Sequence, residues 1–311
     1  GRTVFVDANA GDDNAKGTSP DTAVRTIPRA YELLDEHGTV ESNVIASVGE
    51  YNDSSFGLEQ QNGKPNAFYK PATITGYDAG YPEASKGTNS LSGDDARFND
   101  YGRLTWHNDE ARGKFLYADT AIRDIVLYGG GGNVGYIYCQ GHNLTMDENI
   151  KMYGYSQAST DNFGLLAGTN VPNFHLVGGY YDKQDSATGQ KQGDECTITV
   201  KSGCNARILA GNRITKMNDG SHNTLGSETD YFKSKIVVDI QQPSRGGYNC
   251  DVGMLCGGQT DGSVFAVSDV ELNSGYVKLF LGSSIGYNRS TGDERYSNND
   301  FVGLVRATVN G

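Results

Sequence analysis

Five seven-residue segments that share one pattern constrain this chain more than any other feature of its 311 residues. Their second and fourth residues are apolar, and a glycine stands at the sixth or seventh position. The segments are DIVLYGG from residue 124, NIKMYGY from 149, NFHLVGG from 173, TITVKSG from 197 and DVELNSG from 269. Apolar residues at alternate positions are typical of a β-strand with one buried face. The glycines at 129, 154, 178, 203 and 275 are predicted to close these strands with a positive φ.

A second motif alternates with the first and carries Ala or Cys two residues after a large aliphatic residue. Its copies are LYADTA from 116, IYCQGH from 137, LLAGTN from 165, ILAGNR from 208 and MLCGGQ from 254. The first four seven-residue segments begin 25, 24 and 24 residues apart. Strands that recur at such an interval bury their apolar faces best by stacking coil on coil in a solenoid. A β-sandwich also has many short strands, but it does not require this repetition.

The first 40 residues predict a strand, a polar loop and one amphipathic helix. The strand covers residues 3–6, and further strands are predicted near 44–48 and 73–77. The helix is predicted over residues 22–36, with Gly38 as its stop. Its apolar face consists of Ala23, Ile27, Ala30, Tyr31, Leu33 and Leu34. A single amphipathic helix of this kind must cover an apolar surface.

A spaced motif runs through the same stretch: valine and aspartate, then glycine and threonine, then Thr-Ile-x-x-Ala. Its members are Val6, Asp7, Gly17, Thr18, Thr26, Ile27 and Ala30. This motif resembles the N-terminal entry of the pectin-lyase-like superfamily of secreted right-handed parallel β-helix proteins. The resemblance covers the first 35 residues and, in pattern only, the region after residue 115, where TITVKSGCNARILAGN is also similar to repeats of bacterial surface proteins. It implies that the helix caps the open end of the solenoid.

We therefore predict one all-β domain over residues 1–311, a right-handed parallel β-helix with an N-terminal capping α-helix. Within it, residues 1–40 form the first strand and the cap, 41–114 the first irregular coils, and 115–311 the repeated coils. Insertions in the later coils are predicted to be loops on the flanks, and they span residues 180–195, 218–233 and 241–251.

Outward positions follow from the strand period. With Ile150 and Met152 buried, Asn149 and Lys151 point outward. Stacked coils would place the equivalent residues in two columns, which are Asp124, Asn149, Asn173 and Thr197, and Val126, Lys151, His175 and Thr199. Such columns line an elongated face suited to a sugar polymer, and tyrosines nearby supply rings for stacking on pyranose faces. The alternative is that these are ordinary strand residues, with Asn and Asp at the strand entries making turn hydrogen bonds.

The insertion YYDKQDSATGQKQGDE at 180–195 adds carboxylates and amines beside these columns. Such groups are a candidate acid–base or cation site, although charge-rich insertions are usually solvated loops. RITKMNDGSHN at 213–223 has the same two interpretations. The predicted glycan-binding residues are Lys151, Tyr155, His175, Tyr180, Tyr181 and Asp182, of which Lys151, His175 and Asp182 are also the candidates for catalysis. The chain has no Gly-His-Gly segment or matching aspartate pair like the family's hydrolases, so no catalytic residue is carried over from the resemblance.

Three smaller features each have a structural alternative. DANAGDDN at 7–14 offers oxygen ligands to calcium, but it lacks the spacing of an EF-hand loop and is otherwise a turn. WHNDE at 106–110 holds the only tryptophan, which is either exposed for sugar stacking or buried. Cys139 and Cys256 share a motif position with alanines, which indicates small packed residues.

The composition disfavours several classes of protein. A net charge of -12 without a basic run disfavours nucleic acid as a partner. A charged fraction of 21% with short apolar runs disfavours both disorder and a membrane span. No nucleotide, haem, flavin or zinc motif is present, so no cofactor is expected beyond calcium at residues 7–14. Five cysteines define no disulfide framework, although Cys196 with Cys204, or Cys250 with Cys256, are candidate pairs.

The expected function is that of a secreted or cell-surface bacterial protein, extracellular and monomeric. It would contact a polysaccharide or glycan as an adhesin-like or carbohydrate-binding module without catalysis. The alternatives are a polysaccharide lyase or glycoside hydrolase with an atypical active site, and a structural spacer. Whether the chain is an enzyme stays open, because this fold supports enzymes and inert modules alike. The lack of a signal peptide before Gly1 says little about export.

Overall fold

Strands dominate the part of the chain that the computed structural model describes. The described residues are 1–56, 60–61, 64–76, 80–106, 114–129, 135–154, 171–179, 195–211, 229, 231–242, 250–258, 264–282 and 301–310. None of the helices found within these ranges is long and apolar enough to cross a membrane.

The strands are short in the first half of the chain and longer toward its end. The first ten are β1 (Thr3–Asp7), β2 (Val44–Val48), β3 (Glu50–Tyr51), β4 (Gln60–Gln61), β5 (Lys64–Pro65), β6 (Ala72–Thr75), β7 (Arg103–Trp106), β8 (Lys114–Phe115), β9 (Thr120–Arg123) and β10 (Ile125–Gly129). The others are β11 (Gly135–Tyr138), β12 (Leu144–Met146), β13 (Ile150–Gly154), β14 (Phe174–Val177), β15 (Glu195–Val200), β16 (Asn205–Leu209), β17 (Phe232–Asp239), β18 (Val252–Cys256), β19 (Val264–Ser274), β20 (Val277–Leu281) and β21 (Phe301–Val309). The helices are α1 (Ile27–Leu33) and α2 (Asp53–Phe56).

The chain divides into two compact units. The first consists of Gly1–Gly135 with Thr145–Tyr155, and the second of Tyr136–Leu144 with Ser156–Gly311. In the first unit the chain alternates between two sheets, whose strand orders are β1-β2-β6-β9-β12 and β3-β7-β10-β13. In the second it alternates between β15-β17-β19-β21 and β11-β14-β16-β18-β20. Neighbouring strands in these sheets run parallel, so the mostly β fold with parallel sheets predicted from the sequence is confirmed.

The register of the seven-residue segments confirms part of the predicted stacking. Ile125 lies opposite Ile150 on the pair β10–β13. The fourth and fifth segments share a sheet, in which Ile198 and Val270 both align with Ile236 of the strand between them.

The prediction that Ile125, Ile150, Phe174 and Ile198 lie over one another is wrong. Phe174 belongs to β14 and Ile198 to β15, and these strands are in two sheets other than that of β10 and β13. Every strand with one buried face carries the same alternation, so the repeat cannot tell which sheet a strand joins.

Two features explain the glycines that end the strands: a positive φ, and the close approach of a backbone carbonyl oxygen from a neighbouring pass of the chain. The φ of Gly154 is +122, and a Cβ there would lie 1.9 Å from the carbonyl oxygen of Gly129. Positive φ is confirmed at Gly154, Gly203 and Gly275, but the prediction is wrong for Gly129 and Gly178. Gly178 is required by close approach instead, because a Cβ there would lie 2.4 Å from the carbonyl oxygen of Ala210.

The N-terminal helix is present but shorter than predicted. It spans seven residues rather than 22–36, since the Thr26 hydroxyl accepts a hydrogen bond from the Arg29 amide and Pro28 follows at the first turn. Ala23 lies outside the helix, next to Val24, which forms a parallel bridge with Val6 of β1. Ile27, Ala30 and Tyr31 are buried as predicted, so the helix covers apolar surface next to β1.

Cys139 and Cys256 are small packed residues, as predicted, but the strand register at Cys256 differs from the predicted motif alignment. Cys139 and Cys256 are fully buried. Cys256 aligns with Leu209 rather than with Ala210, whose amide instead donates a hydrogen bond to the Cys256 carbonyl. The motif alignment was therefore displaced by one residue at this pair of strands.

Candidate functional site

Polar and aromatic side chains gather on one face of the sheet β3-β7-β10-β13 in the first unit. Glu50, Arg103, Val126 and Lys151 lie in register across the four strands. The residues that follow them in each strand are Tyr51, Leu104, Leu127 and Met152, and all of these are buried. The alternation places Glu50, Arg103 and Lys151 on the face away from the apolar core.

Arg103 is the centre of this face. Its guanidinium lies 2.6 Å from the Glu50 carboxylate and donates a second hydrogen bond to the Tyr153 hydroxyl at 3.0 Å. It also lies over the ring of Tyr128, 5.1 Å from the ring centre. Partial burial by itself would lower the pKa of Arg103, but the hydrogen bonds that its guanidinium donates to Glu50 and Tyr153 outweigh that effect and raise the pKa. Arg103 is thus a fixed cation with a planar donor set.

Two tyrosine rings form the aromatic part of the face. The ring centres of Tyr128 and Tyr153 are 4.7 Å apart, and the angle between the ring planes is 40°. Both side chains are half-buried. The Tyr153 hydroxyl donates to the side-chain oxygen of Asn89 at 3.1 Å. With the bond from Arg103, this contact fixes the orientation of the ring. We define the tyrosine face as Glu50, Arg103, Tyr128 and Tyr153.

Lys151, a predicted binding residue, lies at the end of this face and is already paired. Its ammonium lies 2.9 Å from the carboxylate of Asp95, on the short 3-10 segment Gly93–Phe98. In the same region Arg97 donates to the side-chain oxygen of Asn149 at 2.9 Å. Residues 89–101 therefore cover the end of the face near Lys151, which leaves Glu50, with 42% of its side chain exposed, at the open end.

The predicted outward column of Asp124 and Asn149 consists of strand-entry residues. Both have positive φ, 48 and 59, and the Asn149 amide donates to the Asp124 carboxylate at 3.0 Å. The bond joins strand-entry side chains of neighbouring passes of the chain, so Asp124 and Asn149 stack on each other as predicted, and the two side chains bind one another at these entries.

His175 does not share a column with Lys151, and that prediction is wrong. It lies on β14 in the second unit, where it aligns with Arg207 of β16. Its side chain is buried, its Nε2 is 3.0 Å from the side-chain oxygen of Asn173, and the ring of Tyr136 packs edge-on at 4.8 Å. These contacts are those of a packed histidine.

Several predicted residues lie outside the described part of the chain. They are Tyr155, Tyr180, Tyr181 and Asp182, together with the segment 213–223. Trp106 is described and is buried, with its ring 5.1 Å from that of Phe56, so the buried interpretation is correct for it.

The acidic loop at 7–14 uses its carboxylates for its own fold. Asp7 accepts hydrogen bonds from the amides of Asn9 and Ala10. Asp13 accepts from the amides of Arg25 and Thr26. Within the described residues no group of three or more His, Cys, Asp or Glu side chains is arranged to hold a metal ion.

Sequence reasoning missed Arg103 and Glu50. The sequence does contain a pattern that links Arg103 to the repeats. The tetrapeptides RLTW from 103, VLYG from 126 and KMYG from 151 align in register, and in each the first and third residues lie on the face away from the core. The first of them lies in the irregular region before residue 115, where the repeat pattern of the later coils is not evident.

Comparison of the chain with protein families, curated proteins and solved structures found no match. The resemblance to the pectin-lyase-like superfamily therefore stays a prediction. Any function has to be argued from the tyrosine face itself.

Proposed function

We propose that this protein is an extracellular right-handed parallel β-solenoid that binds a polysaccharide on its tyrosine face without cleaving it. The fold proposal is supported by the parallel sheets, in which each successive strand comes from the next pass of the chain. Right-handed crossovers are the rule for parallel strands in one sheet. The resemblance of the first 35 residues to secreted β-helix proteins supports the extracellular location.

The observation that carries the binding proposal is the Tyr128–Tyr153 ring pair beside the Arg103–Glu50 ion pair. Aromatic rings stack on the apolar faces of pyranose rings, while fixed donors and acceptors bind hydroxyl groups. Arg103 supplies hydrogen-bond donors and Glu50 supplies acceptors on the same face of the sheet. Because these groups already hold one another, the face is largely preorganised for a ligand.

The charges of this face favour a neutral glycan. Arg103 is paired with Glu50, and Lys151 is paired with Asp95. An acidic polysaccharide would need a surplus of cations, which the paired groups do not provide, and the chain carries a net charge of -12. We therefore propose a neutral hexose polymer as the ligand class.

The same pairing supports binding without cleavage. A glycoside hydrolase needs two carboxyl groups about 5 to 9.5 Å apart, one of them ready to donate a proton. Glu50 is held by Arg103 and also accepts a hydrogen bond from Thr105 at 3.4 Å. Asp95 is held by Lys151. Each carboxylate is already paired with a cation, an arrangement that suits an acceptor of hydrogen bonds from sugar hydroxyls rather than a free general acid.

The test is a glycan array that includes neutral and acidic polysaccharides, followed by product analysis of every glycan that binds. We expect binding to neutral polymers with no shorter products. Tyr153→Ala and Tyr128→Ala should each weaken binding about fivefold, since one stacking contact contributes about 1 kcal/mol. Tyr276→Ala is the matched control, because Tyr276 is 47% exposed and lies on the second unit.

Three outcomes would overturn the proposal. Shortened products would show an enzyme instead, and the absence of any binding on the array would favour a structural spacer. Equal losses in Tyr276→Ala and the two face variants would show that the tyrosine face is not the binding surface. Melting curves of all three variants separate lost binding from lost folding.

A further inference from the structure

None of the five cysteines is in a disulfide, and four of them lie near one another in two groups. Cys139 contacts Cys196, and Cys204 packs against the apolar cluster that contains Cys250. Neither pair is one of the two considered from sequence, which were Cys196 with Cys204 and Cys250 with Cys256. Contact in the folded chain, rather than sequence spacing, selects the partners.

Cys204 and Cys250 stand at the entries of two neighbouring strands. Cys204 directly precedes β16, and Cys250 lies two residues before β18. These strands pair with Asn205 opposite Val252, and the Asn205 amide donates to the Asp251 carbonyl at 2.8 Å. Adjacent strands are about 4.8 Å apart. Disulfides need Cα atoms about 4.4 to 6.8 Å apart, a range that two residues on adjacent strands can reach when they are one position out of register, as Cys204 and Cys250 are.

The two thiols of this pair differ in access to solvent. Cys250 is buried in a cluster with Val171 and Ala206, whereas Cys204 is half-buried at its edge. A reagent in solution therefore reaches Cys204 first. The pair combines an accessible attacking thiol with a buried thiol that can resolve the intermediate.

We propose that Cys204 and Cys250 form a disulfide that joins β16 to β18 when the folded protein meets a small disulfide oxidant such as oxidised glutathione. The inference does not depend on the proposed glycan binding. It identifies a covalent modification site in the second unit, between two consecutive passes of the chain.

The chemistry balances in two exchange steps. The Cys204 thiolate attacks one sulfur of oxidised glutathione, which forms a mixed disulfide and releases one glutathione thiolate. The Cys250 thiolate then attacks the Cys204 sulfur, which closes the protein disulfide and releases the second glutathione. Each protein thiol loses its proton to solvent, and the oxidant accepts the two electrons as two glutathione thiols.

The pair Cys139–Cys196 is an internal control. Both residues are buried, and the Cys196 thiol donates to the carbonyl of His142 at 3.1 Å. Because both thiols of this pair are buried, neither is reached by an oxidant in solution, whereas Cys204 is only half-buried. These two thiols touch but have no route to an oxidant, so they stay reduced while the protein is folded.

The experiment incubates the folded full chain with oxidised glutathione, alkylates free thiols under native conditions and maps the peptides without reduction by mass spectrometry. We expect one cross-linked peptide pair that contains Cys204 and Cys250. Cys139, Cys196 and Cys256 should become alkylated only after unfolding. The melting temperature should rise on oxidation and fall back when dithiothreitol is added.

Variants make the result decisive. Cys250→Ala should leave Cys204 as a persistent mixed disulfide with glutathione, and its melting temperature should no longer rise on oxidation. Cys204→Ser should leave Cys250 unmodified, and Cys256→Ala should form the same cross-link as the wild type. A cross-link between Cys139 and Cys196, a persistent mixed disulfide in the wild type, or five free thiols after oxidation would each overturn the proposal.

Discussion

The side-chain amide of Asn149 donates a hydrogen bond to the carboxylate of Asp124 at 3.0 Å, and both residues stand in the left-handed region of φ. The same amide donates to the Tyr101 hydroxyl at 2.8 Å, and its oxygen accepts a bond from Arg97. Asn149 therefore turns the chain into β13 and holds the covering segment 89–101 in place. Asparagine suits this position because its short polar side chain tolerates the conformation.

We predict that Asn149→Ala lowers the free energy of unfolding by about 2 to 3 kcal/mol, from left-handed strain and lost hydrogen bonds together. Asn149→Gly should cost only about 1 to 2 kcal/mol, since glycine adopts the conformation without strain. Urea denaturation of the two variants measures the difference. Equal losses would mean that the backbone conformation contributes nothing to the effect.

The strand pattern of this chain was largely predictable from sequence, because alternation of apolar residues depends only on which face is buried. Residues 44–48 were predicted as a strand and form β2. The arrangement of strands was less predictable. The third and fourth segments were placed in one column with the first two, although the chain visits different sheets in turn.

The tyrosine face was predictable only in part for a related reason. Lys151 is predicted from the repeats, whereas Glu50 and Arg103 lie in the irregular region before residue 115. Their contact depends on the register of β3 with β7, where Glu50 lies opposite Arg103. Long polar loops between the two strands hide that register in the sequence.

Replacement of Arg103 should separate charge from geometry at the tyrosine face. Arg103→Lys keeps the positive charge but loses the planar donors that bind Glu50 and Tyr153 together. We expect glycan affinity to fall about tenfold and the free energy of unfolding to fall by about 1 kcal/mol. Isothermal titration calorimetry and urea denaturation measure the two effects. Arg306→Lys, at an exposed position on β21, serves as the control.

If Arg103→Lys bound glycans like the wild type, the role of Arg103 would be limited to its charge. Arg103→Gln then provides the second comparison, because it removes the charge and retains one planar amide. A greater loss in Arg103→Gln than in Arg103→Lys would assign the effect to electrostatics.

Alkaline pH should destabilise this protein through its buried thiols. Burial raises the pKa of Cys256 from 9.0 to about 11, and the pKa of Cys250 rises to the same value. Because the folded state favours the neutral thiol, the stabilisation is complete below pH 9, where unfolded thiols are also neutral. It is lost as the pH rises from 9 toward 11, by at most about 1.4 kcal/mol per pH unit for each group.

Urea midpoints between about pH 8 and about pH 10.5 test this dependence. The wild type should lose more stability over that interval than Cys256→Ala, which removes one of the titrating groups. Buried Tyr51 acts in the same direction above pH 10, since burial raises its pKa as well. A flat profile for the wild type would contradict the prediction, and identical slopes for the two proteins would exclude Cys256 as a source.

Two fully buried asparagines should respond in opposite ways to the same substitution. The Asn43 side chain accepts hydrogen bonds from the amides of Arg2 and Asp35 and donates to the carbonyls of Asp35 and Pro71. The Asn205 side chain is equally buried, but its nitrogen and oxygen have no hydrogen-bond partner within the described part of the chain. Leucine branches at the same carbon as asparagine and needs no hydrogen-bond partner.

We therefore predict that Asn43→Leu lowers the free energy of unfolding by about 3 kcal/mol or more, because it leaves buried backbone groups unpaired. Asn205→Leu should instead leave it unchanged or raise it by about 1 to 2 kcal/mol, since an unpaired buried amide is removed. Urea denaturation of both variants at neutral pH gives the comparison. A clear loss in Asn205→Leu would mean that this amide is hydrogen-bonded in solution, and its register position opposite Val252 would then mark a hydrated site inside the second unit.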